Sequence, residues 1–270
     1  MNQEPSVCLF VKHNCGFFSC CSVRLHEIIQ YFNSNKKLPD TVDSSYQFMW
    51  YKLNTNKDIT FDYFHDYQKY GKIEYVKKID YFHIYQFIDY SRLNYLDISP
   101  FIVKYFSPSN EITKNILDMK LKYHVDYENT CVLFYRGNDK ITETSICEYD
   151  EYVIHAQEVV KKNPKTKFLI QSDETEFIEK MLSLFPENSF YLKDEIRHMN
   201  KCINTVDKLF RDKIDVFSKN YLAITIMMSK CKYIICGSGN CSIWIMFYRG
   251  NNKNVYQNLN GYWITPNSDN

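Results

Sequence analysis

Two short segments concentrate the residue types that hold a phosphate. The first is Phe134-Tyr135-Arg136-Gly137-Asn138-Asp139-Lys140, where an apolar run ends in two cations and a carboxylate. A guanidinium presents a planar fork suited to phosphate oxygens, and a glycine lets the backbone come close to a ligand. Asp139 could orient Arg136 or Lys140 through an ion pair. The plainer alternative is a solvated turn with charged side chains. The second segment is Cys236-Gly237-Ser238-Gly239-Asn240-Cys241-Ser242, between an apolar strand and an apolar helix. Two of the chain's seven glycines flank Ser238 there. A helix N-terminus offers unpaired N–H groups and the positive end of the dipole, which suits an anion, most naturally a phosphate. The segment is neither a P-loop nor G-x-G-x-x-G. A tight turn with a serine cap is the bland alternative.

Two further segments merit inspection. In Gln171-Ser172-Asp173-Glu174-Thr175-Glu176 the acidic pair Glu174 and Glu176 reads as an ordinary complement to a helix dipole. Asp173, directly at a strand tip, has the better claim to a cleft. The stretch Lys12 to Ser22 carries Gly16, with Arg24, His26 and Glu27 close by. Arg24 and Glu27 are three apart, so a surface ion pair is the default expectation. Metal chemistry is not expected: there is no C-x-x-C, H-E-x-x-H, EF-hand loop or convincing Asp-x-Asp. A thiol-protease reading of Cys236 to Trp244 fails because no histidine follows His198.

The elements that must position these residues alternate. Val7–Val11 reads as a strand, followed by a loop from His13 to Cys21 and a helix that Ser22 caps, with Val23, Leu25, Ile28, Ile29 and Phe32 at helical spacing. Residues 36–106 are crowded with Tyr, Asp and Lys and give no assignment; Phe82–Ile88 fits strand or helix. A helix is expected over Glu111–Tyr123. Strands are then expected at Thr130–Tyr135, Lys167–Gln171 and Tyr233–Cys236, and a last one at Asn254–Tyr256. Helices are expected at Glu151–Lys162, from Asp173 through Phe185, at Lys219–Ser229 and at Ser242–Tyr248. Such alternation implies an α/β fold with a mainly parallel sheet, in which ligands bind at the carboxyl ends of the strands. A boundary near residues 107–128 gives expected domains 1–118 and 119–270.

The 270 residues include 45% hydrophobic and 24% charged side chains, the balance of a folded protein. A formal charge of +1 gives no electrostatic reason to expect nucleic acid or an anionic membrane as partner. No stretch reaches the roughly 20 apolar residues of a membrane span. The opening Met1-Asn2-Gln3-Glu4-Pro5 lacks a basic region before an apolar run, so no signal peptide is expected, the ten cysteines read as reduced thiols, and a cytoplasmic location is expected.

Taken in order, the C-terminal segments resemble the metal-independent fucosyltransferase superfamily: α1,6-fucosyltransferases, nodulation fucosyltransferases and protein O-fucosyltransferases. The residues Phe134 to Lys140 are similar to that family's strand leading into an arginine motif. Gln171-Ser172-Asp173-Glu174 is similar to its Thr-Asp-Asp/Glu strand end, and Tyr233 to Phe247 to its final strand, serine-rich turn and helix. The match covers residues 128–250 well and the N-terminal half loosely. The resemblance implies a GT-B-like fold, with two Rossmann-like domains whose mainly parallel sheets face a cleft. It implies a nucleotide-sugar donor on the C-terminal domain, GDP-fucose by family, and a glycan or protein acceptor on the N-terminal one. No cofactor or metal is implied. Arg136 would grip the β-phosphate as the leaving group departs with inversion. Ser238, Asn240 and Ser242 would line the diphosphate, Gly137, Asp139, Lys140, Gly237 and Gly239 would bind the donor with them, and Asp173 would support the donor pocket. The N-terminal loop, with Gly16, His26 and Glu27, would match the acceptor side; His13, His26 and Glu27 are the candidate general bases. Two departures stand out: Phe134 replaces the family histidine that contacts guanine, and Ala223–Thr225 carries no base-reading carboxylate. A relative that binds nucleotide or glycan without catalysis is the alternative.

Overall fold

The computed structural model describes residues 6–53, 57–206 and 211–266; the opening five residues, on which the signal-peptide expectation rests, lie outside them. The chain divides into two compact units, Met1–Tyr85 with Asn94–Thr113, and Gln86–Leu93 with Lys114–Asn270.

In the first unit, β1 (Cys8–His13) pairs in parallel with β2 (Thr41–Gln47) through the crossover helix α1 (Phe17–Asn35). The helix begins five residues before Ser22, which lies inside it at 1% exposure. Its start is fixed from a distance. The Phe17 N–H donates to the Tyr51 hydroxyl at 2.8 Å, and the Phe17 ring packs on Tyr63 and Phe48 at 4.8 and 5.3 Å. A capping hydroxyl from 34 residues away replaces the local one the sequence pointed to. Beyond β2 come the short α2 (Thr60–Tyr63) and α3 (Tyr95–Phe106). The segment Phe82–Ile88 is neither strand nor α-helix; it holds a single 3-10 turn, Tyr85–Phe87.

Helix α4 (Asn110–Lys122) leads into the second unit, whose sheet has the order β5-β4-β3-β6-β7-β8. The strands are β3 (Thr130–Tyr135), β4 (Lys167–Ser172), β5 (Ser189–Tyr191), β6 (Tyr233–Gly237), β7 (Val255–Leu259) and β8 (Tyr262–Ile264). All pairs are parallel except the hairpin β7–β8. Every residue of β3 is buried, as a central parallel strand covered on both faces requires. The helices are α5 (Tyr149–Lys162), α6 (Thr175–Leu184), α7 (Ile214–Lys230) and α8 (Asn240–Arg249). The hairpin turns at Asn260 and Gly261, both with positive φ (52° and 84°), an Asn-Gly signal that the sequence reading passed over. No helix among the described residues is long and apolar enough to cross a membrane.

Candidate functional site

The sheet order places a topological switch between β3 and β6. After β3 the chain moves outward through β4 and β5, and later returns to lay β6 and β7 on the other side. Ligands of open α/β sheets sit outside the carboxyl ends of the strands at such a point. The two segments singled out as phosphate-holding follow β3 and β6, so the fold sets them side by side.

Arg136 leaves the tip of β3 with each nitrogen engaged. Its Nε donates to Asp173 Oδ2 at 2.8 Å, Nη2 to Asp139 Oδ1 at 3.1 Å and Nη1 to the Tyr221 hydroxyl at 3.4 Å. Burial alone would lower the guanidinium pKa, but Asp173, Tyr221 and Asp139 outweigh it and hold the group well above its ordinary value. Asp173, 5% exposed, also accepts the Gly137 N–H at 3.1 Å, so one carboxylate fixes both the side chain and the loop behind it.

Gly137 is demanded by space rather than by φ. A Cβ there would lie 1.9 Å from Glu174 Oε1 and 2.2 Å from its Cδ. Glu174 does more than complement the helix dipole. It is fully buried at the N-terminus of α6, accepting the Asn138 N–H at 2.7 Å through Oε1 and the Tyr149 hydroxyl through Oε2. Glu176 caps a different backbone group, the Lys201 N–H, at 3.0 Å. Asn138 turns the chain in the left-handed region (φ 34°) and is tied twice more, Nδ2 to Asp173 O at 2.9 Å and Oδ1 to Cys202 N at 2.9 Å. Glu174, Tyr149 and Tyr221 thus brace the arginine loop from outside the segment that the sequence singles out, and Asn138, inside it, sets its turn. An asparagine directly after the strand-tip glycine was the available signal, since asparagine tolerates positive φ.

Lys140 donates to Glu143, and its ammonium stands beside the second loop: a Cβ on Gly239 would meet Lys140 Cε at 3.6 Å and Nζ at 3.8 Å. Gly239 is the N-cap of α8, in extended conformation and without a side-chain cap. The loop serines face inward. Ser238 donates to Asn258 O at 2.8 Å, and Ser242 donates to Gly237 O, so both hydroxyls brace the loop. Asn240 is the first residue of α8. The charge balance is informative. Two cations, Arg136 and Lys140, share this region with four carboxylates, Asp139, Glu143, Asp173 and Glu174. An arriving anion must therefore take the cations from their more exposed partners, Glu143 (42% exposed) and Asp139 (23%), while buried Asp173 keeps its hold on Nε.

Comparison with solved structures bears on this geometry. The NodZ α-1,6-fucosyltransferase co-crystallised with GDP matches with a TM-score of 0.63 at 10% identity, over 97% of this chain and 99% of that one. The same enzyme soaked with GDP-fucose matches at 0.60 and 9%, with the same coverage. The fucosyltransferase NodZ from Bradyrhizobium matches at 0.61 and 9%, over 97% and 98%. The fold is GT-B-like. No family model matches the chain, and no curated protein matches it in sequence.

The remaining sequence candidates lie in the first unit. Gly16 is the N-cap of α1, with open space around its Cβ position. His26, 8% exposed, packs against Phe82 at 4.4 Å and His83 at 5.1 Å, with Nδ1 3.4 Å from Tyr81 O. Burial pushes its pKa below the ordinary value, against opposing pulls from the Tyr81 carbonyl and Glu27. Glu27 is half-buried on α1. The expected Arg24–Glu27 surface pair gives way to a different arrangement: Arg24 is fully buried, donating to Ser44 and, at 3.5 Å, to Thr60, and burial lowers its pKa against an opposing pull from Asp58. His13, at the carboxyl end of β1, is half-buried, with Nε2 2.9 Å from Ser19 Oγ. In the second unit, Phe134 is 1% exposed within β3, and Ala223 to Thr225 are buried in α7. Among the described residues no group of three or more His, Cys, Asp or Glu could hold a metal ion.

Proposed function

We propose that this chain is a glycosyltransferase that moves a sugar from a nucleoside-diphosphate sugar to a hydroxyl of a glycan or protein, inverting and without a metal. One observation carries the reading. Arg136 and Lys140 leave one loop at the tip of β3, and Lys140 meets Gly239 at the head of α8, at the switch point of a sheet whose fold is similar to that of NodZ fucosyltransferases. Because the fold neighbours were crystallised with GDP and GDP-fucose, GDP-fucose is the leading donor. In the transfer the acceptor oxygen attacks the anomeric carbon, the bond to the diphosphate oxygen breaks, and the acceptor proton passes to a base. His13, His26 and Glu27 on the acceptor-side unit are the candidates for that base. Arg136, Lys140 and the N-terminus of α8 stabilise the departing charge, which grows toward the transition state and so lowers the barrier. Gly137 and Asp139 shape the arginine loop, Asp173 orients the guanidinium, and Gly237, Ser238, Asn240 and Ser242 form the second wall.

Phe134 in place of the family's guanine-contacting histidine, and the lack of a carboxylate at Ala223 to Thr225, favour a second reading, a relative that binds nucleotide or glycan without transfer. Turnover of radiolabelled GDP-fucose onto glycan acceptors, or onto water, separates the two. Under the first reading Arg136→Ala lowers kcat by roughly two to three orders of magnitude, the effect of deleting one preorganised donor to a developing charge. Undiminished turnover in that variant would refute Arg136 as the group that stabilises the leaving phosphate.

A further inference from the structure

Residues 86–93 fold with the second unit, although the chain on either side of them, to Tyr85 and from Asn94, belongs to the first. One amide fastens this strap. Gln257 on β7, 2% exposed, accepts the Tyr90 N–H at 2.9 Å through Oε1, while Nε2 donates to Ile88 O at 2.7 Å and to Ser238 Oγ at 2.8 Å. A backbone N–H only donates and a carbonyl only accepts, so the partners fix which way the amide faces. Ser238, held by Gln257 on one side and by Asn258 O on the other, is the residue before Gly239.

Tyr90 extends the strap to the loop itself. Its hydroxyl, 1% exposed with the rest of the residue, accepts the Gly239 N–H at 3.2 Å. Its single proton faces Gln86 O at 3.2 Å and Gly239 O at 3.4 Å. Phe87, three residues earlier, places its ring centroid 5.9 Å from Lys140 Nζ. The strap thus touches the loop peptide and the lysine that stands over it. Gly239 needs such restraint: a glycine N-cap has no side chain to brace it, and the nearest atom to its Cβ position is 3.6 Å away.

We propose that Tyr90 and Gln257 are positioning residues of the diphosphate loop, fixing the Gly239 peptide so that the site is ready for a nucleoside diphosphate before one arrives. The inference rests on the donor-site reading above. Preorganisation raises affinity by removing the ordering cost from the binding step, and here the effect falls on the phosphates, because the strap's bonds reach that loop.

The test uses the full chain, with GDP and inorganic pyrophosphate as probes in isothermal titration at 25 °C. Tyr90→Phe keeps the ring and removes the hydroxyl; it should weaken both probes by a similar factor, about tenfold, and raise the KM for donor while leaving the KM for acceptor alone. A merely structural role would lower the melting temperature and leave both dissociation constants unchanged, which would overturn the inference. If Tyr90→Phe does not fold, Gln257→Glu gives the second arm, since it keeps an acceptor for the Tyr90 N–H and loses both donated bonds. Wild-type protein that binds neither probe would overturn the donor-site reading and this inference with it. Wild-type binding with unchanged variants would overturn this inference alone.

Discussion

Replacing Gly137 with alanine tests the arginine loop by a single methyl group. The new Cβ falls 1.9 Å from Glu174 Oε1, far inside contact distance, and Glu174 is fully buried with both oxygens engaged. Relief comes in one of two ways. Glu174 swings away and gives up its bonds from Asn138 N–H and Tyr149 OH, each worth about 1.5–3 kcal/mol to a charged acceptor. Otherwise the backbone shifts, at roughly 1–3 kcal/mol for an overpacked core site. The loss should be about 3 kcal/mol, which at about 2–4 °C per kcal/mol for a domain of this size lowers the melting temperature by roughly 6–12 °C. Thermal unfolding followed by circular dichroism measures it. The Gly137→Ala/Glu174→Ala double variant should cost less than the two single variants together, because the clash disappears with the carboxylate. A Gly137→Ala protein that melts within about 2 °C of wild type would show that Glu174 does not occupy the space behind the loop, and the proposed origin of the loop's shape would fail.

Other outcomes follow from the charge balance and from three histidines that are buried or half-buried. Glu143→Gln frees Lys140 from its exposed partner and should tighten GDP binding about two- to fivefold, the effect fading as salt rises; weaker binding would mean that the pair holds Lys140 where the ligand needs it. His13, His26 and His198 all have pKa values lowered chiefly by burial. As pH falls through the unfolded value of about 6.5, the unfolded chain binds protons that the native state refuses, so stability should drop between about pH 7 and 5.5. A melting temperature that is flat or rising over that range would contradict this, and His26→Gln should flatten part of the slope.

Much of the scaffold was legible because burial writes itself into composition. Strands β3, β4 and β6 are covered on both faces and read as continuous apolar runs, α5 and α6 show their buried faces at helical spacing, and α8, buried all round from Cys241 to Phe247, reads as a short apolar run. The half-buried, three-residue β5 and the hairpin strand β8 left no such run. The start of α1 was illegible because its cap, Tyr51, lies far along the chain. The same reason hid the strap, whose attachment depends on Gln257 more than 160 residues away. Within the candidate site, Arg136, Asp139, Lys140 and Asp173 were found from residue type at strand ends. From sequence, Glu174 reads as the ordinary complement of a helix dipole; in the fold a tyrosine hydroxyl and a backbone N–H provide the bonds that allow it to be buried.

The central claim, that the β3 and β6 loops together hold a nucleoside diphosphate, is most directly tested by ligand-dependent melting of wild-type protein and Arg136→Ala with GDP, UDP, dTDP and CMP, each with and without magnesium. A ligand at 100 times its dissociation constant stabilises the native state by about 2.7 kcal/mol. The account predicts a clear upward shift with one nucleoside diphosphate, GDP first, that is indifferent to magnesium and lost in Arg136→Ala. A shift that survives unchanged in Arg136→Ala, or none with any nucleotide, would contradict it.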